Sequence, residues 1–287
     1  LVAYYDLRNR STYVQVTNRG SFENPDQAGT VCIHVQIFQQ DRGCSELNFN
    51  DELTLNDTHI YDLDNLVRNN GTQVPASLLD DSYGYVVINA EECDNPGSDD
   101  AEADASLIGN ARIVDNAGYE YRYNLVGESD EQLTTGGGDD YGHIEVHFNT
   151  IDGAGWSDIV GFVYDEAGGP DETTVRNVSS GITLSIFQFD QNEEPLSCDQ
   201  KTFACGGTMN YGINEDYPNS RDGSLLCPGG GLAPGQTHGF VSLEDAVVND
   251  GDTTLVEEFE FVCLVGINNG NGTGSMDECF YRENGPM

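Results

Sequence analysis

Six stretches of the chain alternate apolar and polar residues with period two, the pattern of a half-buried β-strand. They are TYVQV (12–16), VCIHVQIF (31–38), YGYVVI (83–88), HIEVHF (143–148), ITLSIF (182–187) and FEFVCLV (259–265). In the second of them Ile33, Val35 and Ile37 alternate with His34 and Gln36, which predicts that the three aliphatic side chains face a core. Between the stretches lie clusters of turn-forming residues: NRGSFENPDQAG, VRNNGTQ, DNPGSDD, TGGGDD and CPGGGLAPG. No helical periodicity is sustained anywhere, so the pattern predicts an all-β protein of antiparallel sheets. DLDNLV (62–67) reads as one helical turn or a strand end.

The apolar pattern also repeats. IHVQIFQQD (33–41) aligns with ITLSIFQFD (182–190) as IxxxIFQxD, and LTLNDTHIY (53–61) aligns with LAPGQTHGF (232–240) around a Thr-His pair. SYGYVVIN (82–89) then corresponds to EFEFVCLVGIN (258–268). Upstream, LVAYYDLRNRSTYVQVTN (1–18) and LIGNARIVDNAGYEYRYN (107–124) have equal length and close on Tyr-x-x-x-x-Asn. Four similarities in one order predict two tandem, duplicated β-sandwich domains, Ig-like or jelly-roll-like. The first spans 1–93, an acidic linker spans 94–106, and the second spans 107–287. The second half carries an inserted segment at about 125–180, with the sole tryptophan, Trp156, and a long cysteine-containing loop at 191–231.

Charge narrows the function classes. The formal net charge is −39, from 50 acidic and 11 basic residues, and Lys201 is the only lysine. A polyanion is repelled by nucleic acid, and an anionic membrane surface is disfavoured for the same reason. No apolar run approaches the roughly 20 residues that cross a bilayer, so no membrane insertion is expected. An acidic surface suits a protein working in salt, where screening blunts self-repulsion, and it also suits divalent cations; the sequence specifies no cofactor, and a structural calcium ion is the candidate.

Eight cysteines without a CxxC pair read as disulfides formed in an oxidising compartment. The chain begins at Leu1 without a charged-then-apolar leader, which is the expectation for a mature secreted protein after signal-peptide removal. The expected location is therefore extracellular or at the cell surface. Cys32, Cys44 and Cys93 fall in the first half; Cys198, Cys205, Cys227, Cys263 and Cys279 fall in the second. Both counts are odd, so full oxidation requires a bridge between halves or between molecules. The repeat ranks Cys44–Cys93 and Cys198–Cys279 as equivalent staples and leaves Cys32 among the remainder.

Candidate chemistry is sparse. His143, Glu145 and His147 in GHIEVHF share one strand face and offer two imidazoles and a carboxylate to a transition metal; the alternative is a solvated polar face. Asp62 with Asp64, Asp139 with Asp140, and NDGD (249–252) offer carboxylates on turn-forming backbone, as calcium needs. Tyr119, Tyr121 and Tyr123 alternate in GYEYRYN, either as core or as a stacking stripe for a glycan or another subunit. His59 and His238 occupy matching repeat positions and are expected to hydrogen-bond within the fold. Asn9, Asn56, Asn70, Asn177 and Asn271 begin glycosylation sequons. There is no GxSxG elbow, no Walker loop and no coherent Ser-His-Asp spacing.

The expected function is that of a structural subunit of an extracellular assembly, a filament, sheath or surface layer, and not an enzyme. A secreted adhesin or carbohydrate-binding module is the alternative, and a metalloenzyme built on the His143 cluster is a further one. The expected partner is another copy of the chain, as a homo-oligomer or polymer. The apolar N-terminal segment, with Leu1, Val2, Tyr4 and Tyr5, is expected at a subunit interface together with the tyrosine stripe.

Overall fold

The structure, a computed structural model, describes residues 1–8, 10–20, 30–42, 45–64, 79, 81–91, 93, 107–115 and 120–125, and beyond these residue 192 and the strands named below. The chain divides into two compact units, Leu1–Asn116 with Arg122–Glu128 and Glu166–Asn177, and Ala117–Tyr121 with Ser129–Asp165 and Val178–Met287. The described part is all-β, with two antiparallel sheets and one disulfide in the first unit.

In chain order the first strands are β1 (Val2–Asp6), β2 (Arg10–Asn18), β3 (Val31–Gln39), β4 (Ser45–Leu53), β5 (Thr58–Asp62), β6 (Tyr83–Glu91), β7 (Leu107–Asp115) and β8 (Glu120–Asn124). One sheet has the order β1-β6-β3-β4, and the other runs β8-β7-β2-β5. The chain therefore changes sheet five times, at β1–β2, β2–β3, β4–β5, β5–β6 and β6–β7.

The core follows from the alternation. Ile33, Val35 and Ile37 are completely buried, and their cross-strand partners Ala90, Ile88 and Val86 are buried with them. Val14 and Val16 of β2, Tyr61 of β5, and Ala111 and Ile113 of β7 form the buried face of the second sheet. Phe49 of β4 meets Tyr61 of β5 edge-on, ring centres 5.6 Å apart, so the two sheets touch there. On the opposite face of β3, Phe38 stacks on Tyr85 at 4.7 Å, and both rings are fully buried. Gly84 makes the approach of β3 and β6 possible, because a Cβ there would stand 1.9 Å from the Phe38 carbonyl oxygen.

The N-terminal strand is part of this core. Every residue of β1 is buried, β1 pairs with β6 from Val2↔Val87 to Asp6↔Tyr83, and the Leu1 amine donates to the Ile88 carbonyl at 2.9 Å. Of the residues expected at a subunit interface, Val2, Tyr4 and Tyr5 are buried in the unit's own sheet and Leu1 is half-buried. Tyr121 and Tyr123 are buried too, and the Tyr123 hydroxyl donates to the Tyr4 carbonyl. Tyr119 lies outside the described residues.

The remaining strands are β9 (His143–Asn149), β10 (Trp156–Asp165), β11 (Arg176–Asn177), β12 (Ile182–Asp190), β13 (Pro195–Leu196), β14 (Gln200–Phe203), β15 (Gly207–Gly212), β16 (His238–Val248), β17 (Phe259–Asn268), β18 (Thr273–Glu278) and β19 (Phe280–Arg282). In the second unit β12 pairs with β13, β14 and β16, and β16 continues to β9 and β19. β10 pairs with β15 and β17, and β17 with β18. All six alternating stretches are thus strands, and among the described residues the expected long loop at 191–231 contains three further ones, β13, β14 and β15.

Two expectations about organisation meet different pairings. Residues 94–106 lie outside the described residues, but β7, expected to open a second domain, is antiparallel to β2 over nine residues. Leu107, Ala111 and Ile113 bury on that sheet, which ties β7 to the first unit. In the repeat, β17 was aligned with β6; β6 flanks β3, whereas β17 flanks β10 and the neighbour of β12 is β16.

The disulfide also differs from the expected staple. Cys32 bonds to Cys93, with Cα atoms 4.9 Å apart and a sequence separation of 61. The cause is register: Cys32 stands opposite Glu91 on β6, two residues short of Cys93. Cys44, Cys198, Cys205, Cys227 and Cys279 lie outside the described residues, and Cys263 stands opposite Gly161 in the β10–β17 pair. With Cys32 engaged, the odd thiol of the first half passes to Cys44.

Two outcomes check this arrangement. A non-reducing peptide map should contain a Cys32–Cys93 peptide, and Cys32→Ser with Cys93→Ser should lower unfolding free energy by about 4 kcal/mol for a loop of this length; a Cys44–Cys93 peptide would contradict it. Deleting residues 1–8 should abolish cooperative unfolding by circular dichroism, because it removes a wholly buried strand; a folded deletion variant would show that β1 is dispensable.

Candidate functional site

Two carboxylates stand out among the described residues because each is held by several donors at a point where the chain changes sheet. Asp6 closes β1 and is 1% exposed. Its Oδ2 accepts from Arg10 Nη1 at 2.6 Å and Arg8 Nη2 at 2.9 Å; its Oδ1 accepts from Arg8 Nε at 3.0 Å and from the Arg8 backbone N–H at 2.9 Å. The Arg8 guanidinium also lies 3.8 Å from the centre of the Tyr83 ring, a cation–π contact. The backbone of Asp6 is satisfied by Thr12, whose Oγ1 accepts from the Asp6 N–H at 3.1 Å and donates to the Asp6 carbonyl at 3.0 Å.

Burial alone would drive the Asp6 carboxyl toward its neutral form. The Arg8 hydrogen bonds and the charges of Arg10 and Arg8 outweigh it and hold the carboxyl below its usual range. Both oxygens of this buried carboxylate are engaged by Arg8 and Arg10. It is a structural anchor.

Asp51, on β4, makes the second cluster. Its Oδ2 lies 2.8 Å from His59 Nδ1 and accepts from the Tyr61 hydroxyl at 2.8 Å, both on β5. The other ring nitrogen, His59 Nε2, stands 3.6 Å from Asp57 Oδ2. Burial again works against the Asp51 charge, but hydrogen bonds from His59, Tyr61 and the Glu52 backbone prevail and lower its pKa. Burial, the bond to Asp51 and nearby carboxylates push the Tyr61 hydroxyl far up, so it keeps its proton. In a nucleophilic triad the nitrogen remote from the aspartate faces a hydroxyl or thiol. Here Asp57 occupies that place, and the cluster acts as a latch from one sheet to the other.

A third hub supports the same crossing. Asn18 Nδ2 donates to the Leu53 carbonyl at 3.0 Å, and Asn18 Oδ1 accepts from Gly20 at 2.9 Å. The Asn18 backbone exchanges bonds with Asp57 and Asn56, whose φ of 60° sets the β4–β5 turn.

The expected metal residues are placed as follows. His143, Glu145 and His147 occupy alternate positions of β9, opposite Arg282, Phe280 and Phe240 respectively, with Ser242 also opposite Glu145. None of these directly opposite residues is an imidazole or a carboxylate. Asp62 ends β5 opposite Tyr13, and Asp64 follows in an exposed turn. Among the described residues no group of three His, Cys, Asp or Glu comes together to hold a metal ion. Asp139, Asp140 and NDGD (249–252) lie outside the described residues. Of the sequons, Asn56 is exposed at the β4–β5 turn and Asn177 is in β11, while Asn9, Asn70 and Asn271 lie outside.

Sequence reasoning missed both carboxylates. The available signal for Asp6 was DLRNR, two of the chain's 11 basic residues within five positions of an aspartate. His59 was expected to bond within its fold, and it does.

Asp6→Asn should cost up to about 3 kcal/mol, because the part-buried Arg8 and Arg10 lose their counterion and charge-assisted hydrogen bonds. The folded Asp6 carboxyl binds its proton less tightly than the unfolded one. Its stabilisation is therefore fully present above the unfolded value of about 3.9 and is lost as pH falls through the folded value. Wild-type unfolding free energy should drop below about pH 4, and the Asn variant should show a smaller acid slope in denaturant titrations.

The chain matches no protein-family model and no curated protein.

Proposed function

We propose that the protein is a structural subunit of an extracellular assembly that associates with copies of itself. The observation that carries this reading is where its polar and apolar groups are used. The described charged clusters are consumed in joining one sheet to the other, while the large apolar side chains that remain exposed, Leu55, Ile60 and Ile108, belong to β5, β7 and the turn before β5. The disulfide and the cysteine-rich composition fit an oxidising location outside the cell, and the net charge of −39 fits a medium rich in salt or divalent cations.

The finer architecture in this reading is a pair of tandem β-sandwich domains related by duplication. Each IFQxD strand is internal to its sheet and hydrogen-bonded on one side to the strand that follows it, β3 to β4 and β12 to β13, which supports that relationship. Bound calcium at acidic turns would serve such an assembly by bridging carboxylates.

Electron microscopy and sedimentation of native material test the proposal. Ordered polymers or oligomers are the expected outcome, with partial dissociation on removal of divalent cations. A chain that stays monomeric at high concentration, with and without calcium, would instead favour an adhesin or carbohydrate-binding module.

A further inference from the structure

The outward face of β5, β2 and β7 differs from what the composition of the chain leads one to expect. Val14, Val16, Tyr61, Ala111 and Ile113 point inward, so the alternate residues point out. Across this face Ile60 pairs with Gln15, and Gln15 with Asn110; Thr58 pairs with Thr17, and Thr17 with Ile108. Ile60 is 64% exposed and Ile108 45%. The next row is Asp62, Tyr13 and Arg112, with the Arg112 guanidinium 5.9 Å from the Tyr13 ring centre.

Asp62 and Arg112 are the only carboxylate and the only basic group that these three strands present outward, so the face carries no net charge in a chain of formal charge −39. The outer strand of the other sheet, β4, contrasts with it in carrying Glu46, Asp51 and Glu52. Two copies of so acidic a chain repel one another wherever carboxylates meet, and a neutral face with exposed isoleucines is where approach costs least.

We infer that this face docks onto the same face of a second copy of the chain. It is self-complementary. A two-fold axis laid along β2 exchanges left and right, which sets Asp62 of each copy against Arg112 of the other and lets Ile60 and Ile108 cover the partner's Asn110 and Thr58. Three strands about 4.8 Å apart and about 25 Å long give a plane of only about 360 Å², below the roughly 800 Å² per partner of a standard interface. The contact is therefore a weak one that closes a pair of chains, and a larger assembly would join such pairs through other surfaces. Because bulk charge opposes it, it tightens as salt shortens the Debye length from about 10 Å at 0.1 M to about 3 Å at 1 M, the reverse of an interface made by ion pairs alone.

This inference rests on the self-assembly reading, and sedimentation equilibrium of the full oxidised chain in 0.1 M and 1 M NaCl separates the two. Wild-type association should be about tenfold tighter at the higher salt, a shift of about 1.4 kcal/mol. Ile60→Asp and Ile108→Asp should each weaken it about tenfold at 1 M while leaving the circular dichroism unchanged, and Asn48→Asp on β4 should not. Asp62→Arg should weaken association, and adding Arg112→Asp should restore it. If aspartate at position 60 disturbs folding, Ile60→Thr, a good strand former, replaces it and should still weaken association. Wild type that associates while the Ile60 and Ile108 variants associate equally well would overturn this interface and leave the assembly reading intact. Wild type that is monomeric at both salt concentrations would overturn both.

Discussion

A chain that steps from one sheet to another must leave its ladder, and the peptide groups at the step still need partners. This unit meets that constraint with side chains. At the β1–β2 step, Asp6 gathers Arg8 and Arg10 and exchanges backbone bonds with Thr12. At the β4–β5 step, Asp51 gathers His59 and Tyr61, and Asn18 holds the turn. The aliphatic core supplies the larger energy, but it would accept several relative placements of two greasy sheets. The polar clamps at the steps select one.

The same economy explains the use of scarce positive charge. Arg8 and Arg10 lie against a buried carboxylate, and Arg112 lies against Tyr13 on a face whose only acid is Asp62. Basic groups stand where a carboxylate would otherwise be buried alone or where a surface is brought to neutrality. The formal net charge of −39 that remains restricts how two copies can approach.

Much of the fold was legible because half-buried strands alternate. The six periodic stretches are strands, and Ile33, Val35 and Ile37 face the core as their spacing requires. β1 is less legible for a physical reason: VAYYD is buried on both faces, so it lacks the alternation of a half-buried strand. β4 left a faint trace because an outer strand buries little, and SELNFNDEL alternates only Leu47 and Phe49 with polar residues. The disulfide and the place of β7 depend on which strands pair at long range, and residue spacing carries no record of that. Neither does it reveal which of 50 carboxylates is buried; Asp6 and Asp51 became recognisable once β1 met Thr12 and β4 met β5.

The bridge between Cys32 and Cys93 has a mechanical meaning for a protein proposed to work in an array. An assembly under tension pulls on its subunits, and an unprotected β unit can unravel and lengthen. The 61-residue separation closed by this bond takes about 200 Å of extensible chain out of the load path, at about 3.4 Å per residue. β3, β4, β5 and β6 all lie inside the loop. Force arriving along the backbone passes from residue 32 to residue 93 through sulfur, so these strands stay slack while their flanks bear the load. A subunit built this way can lengthen only through the chain outside that loop, and the bond keeps the ends of the looped segment together for its recoil.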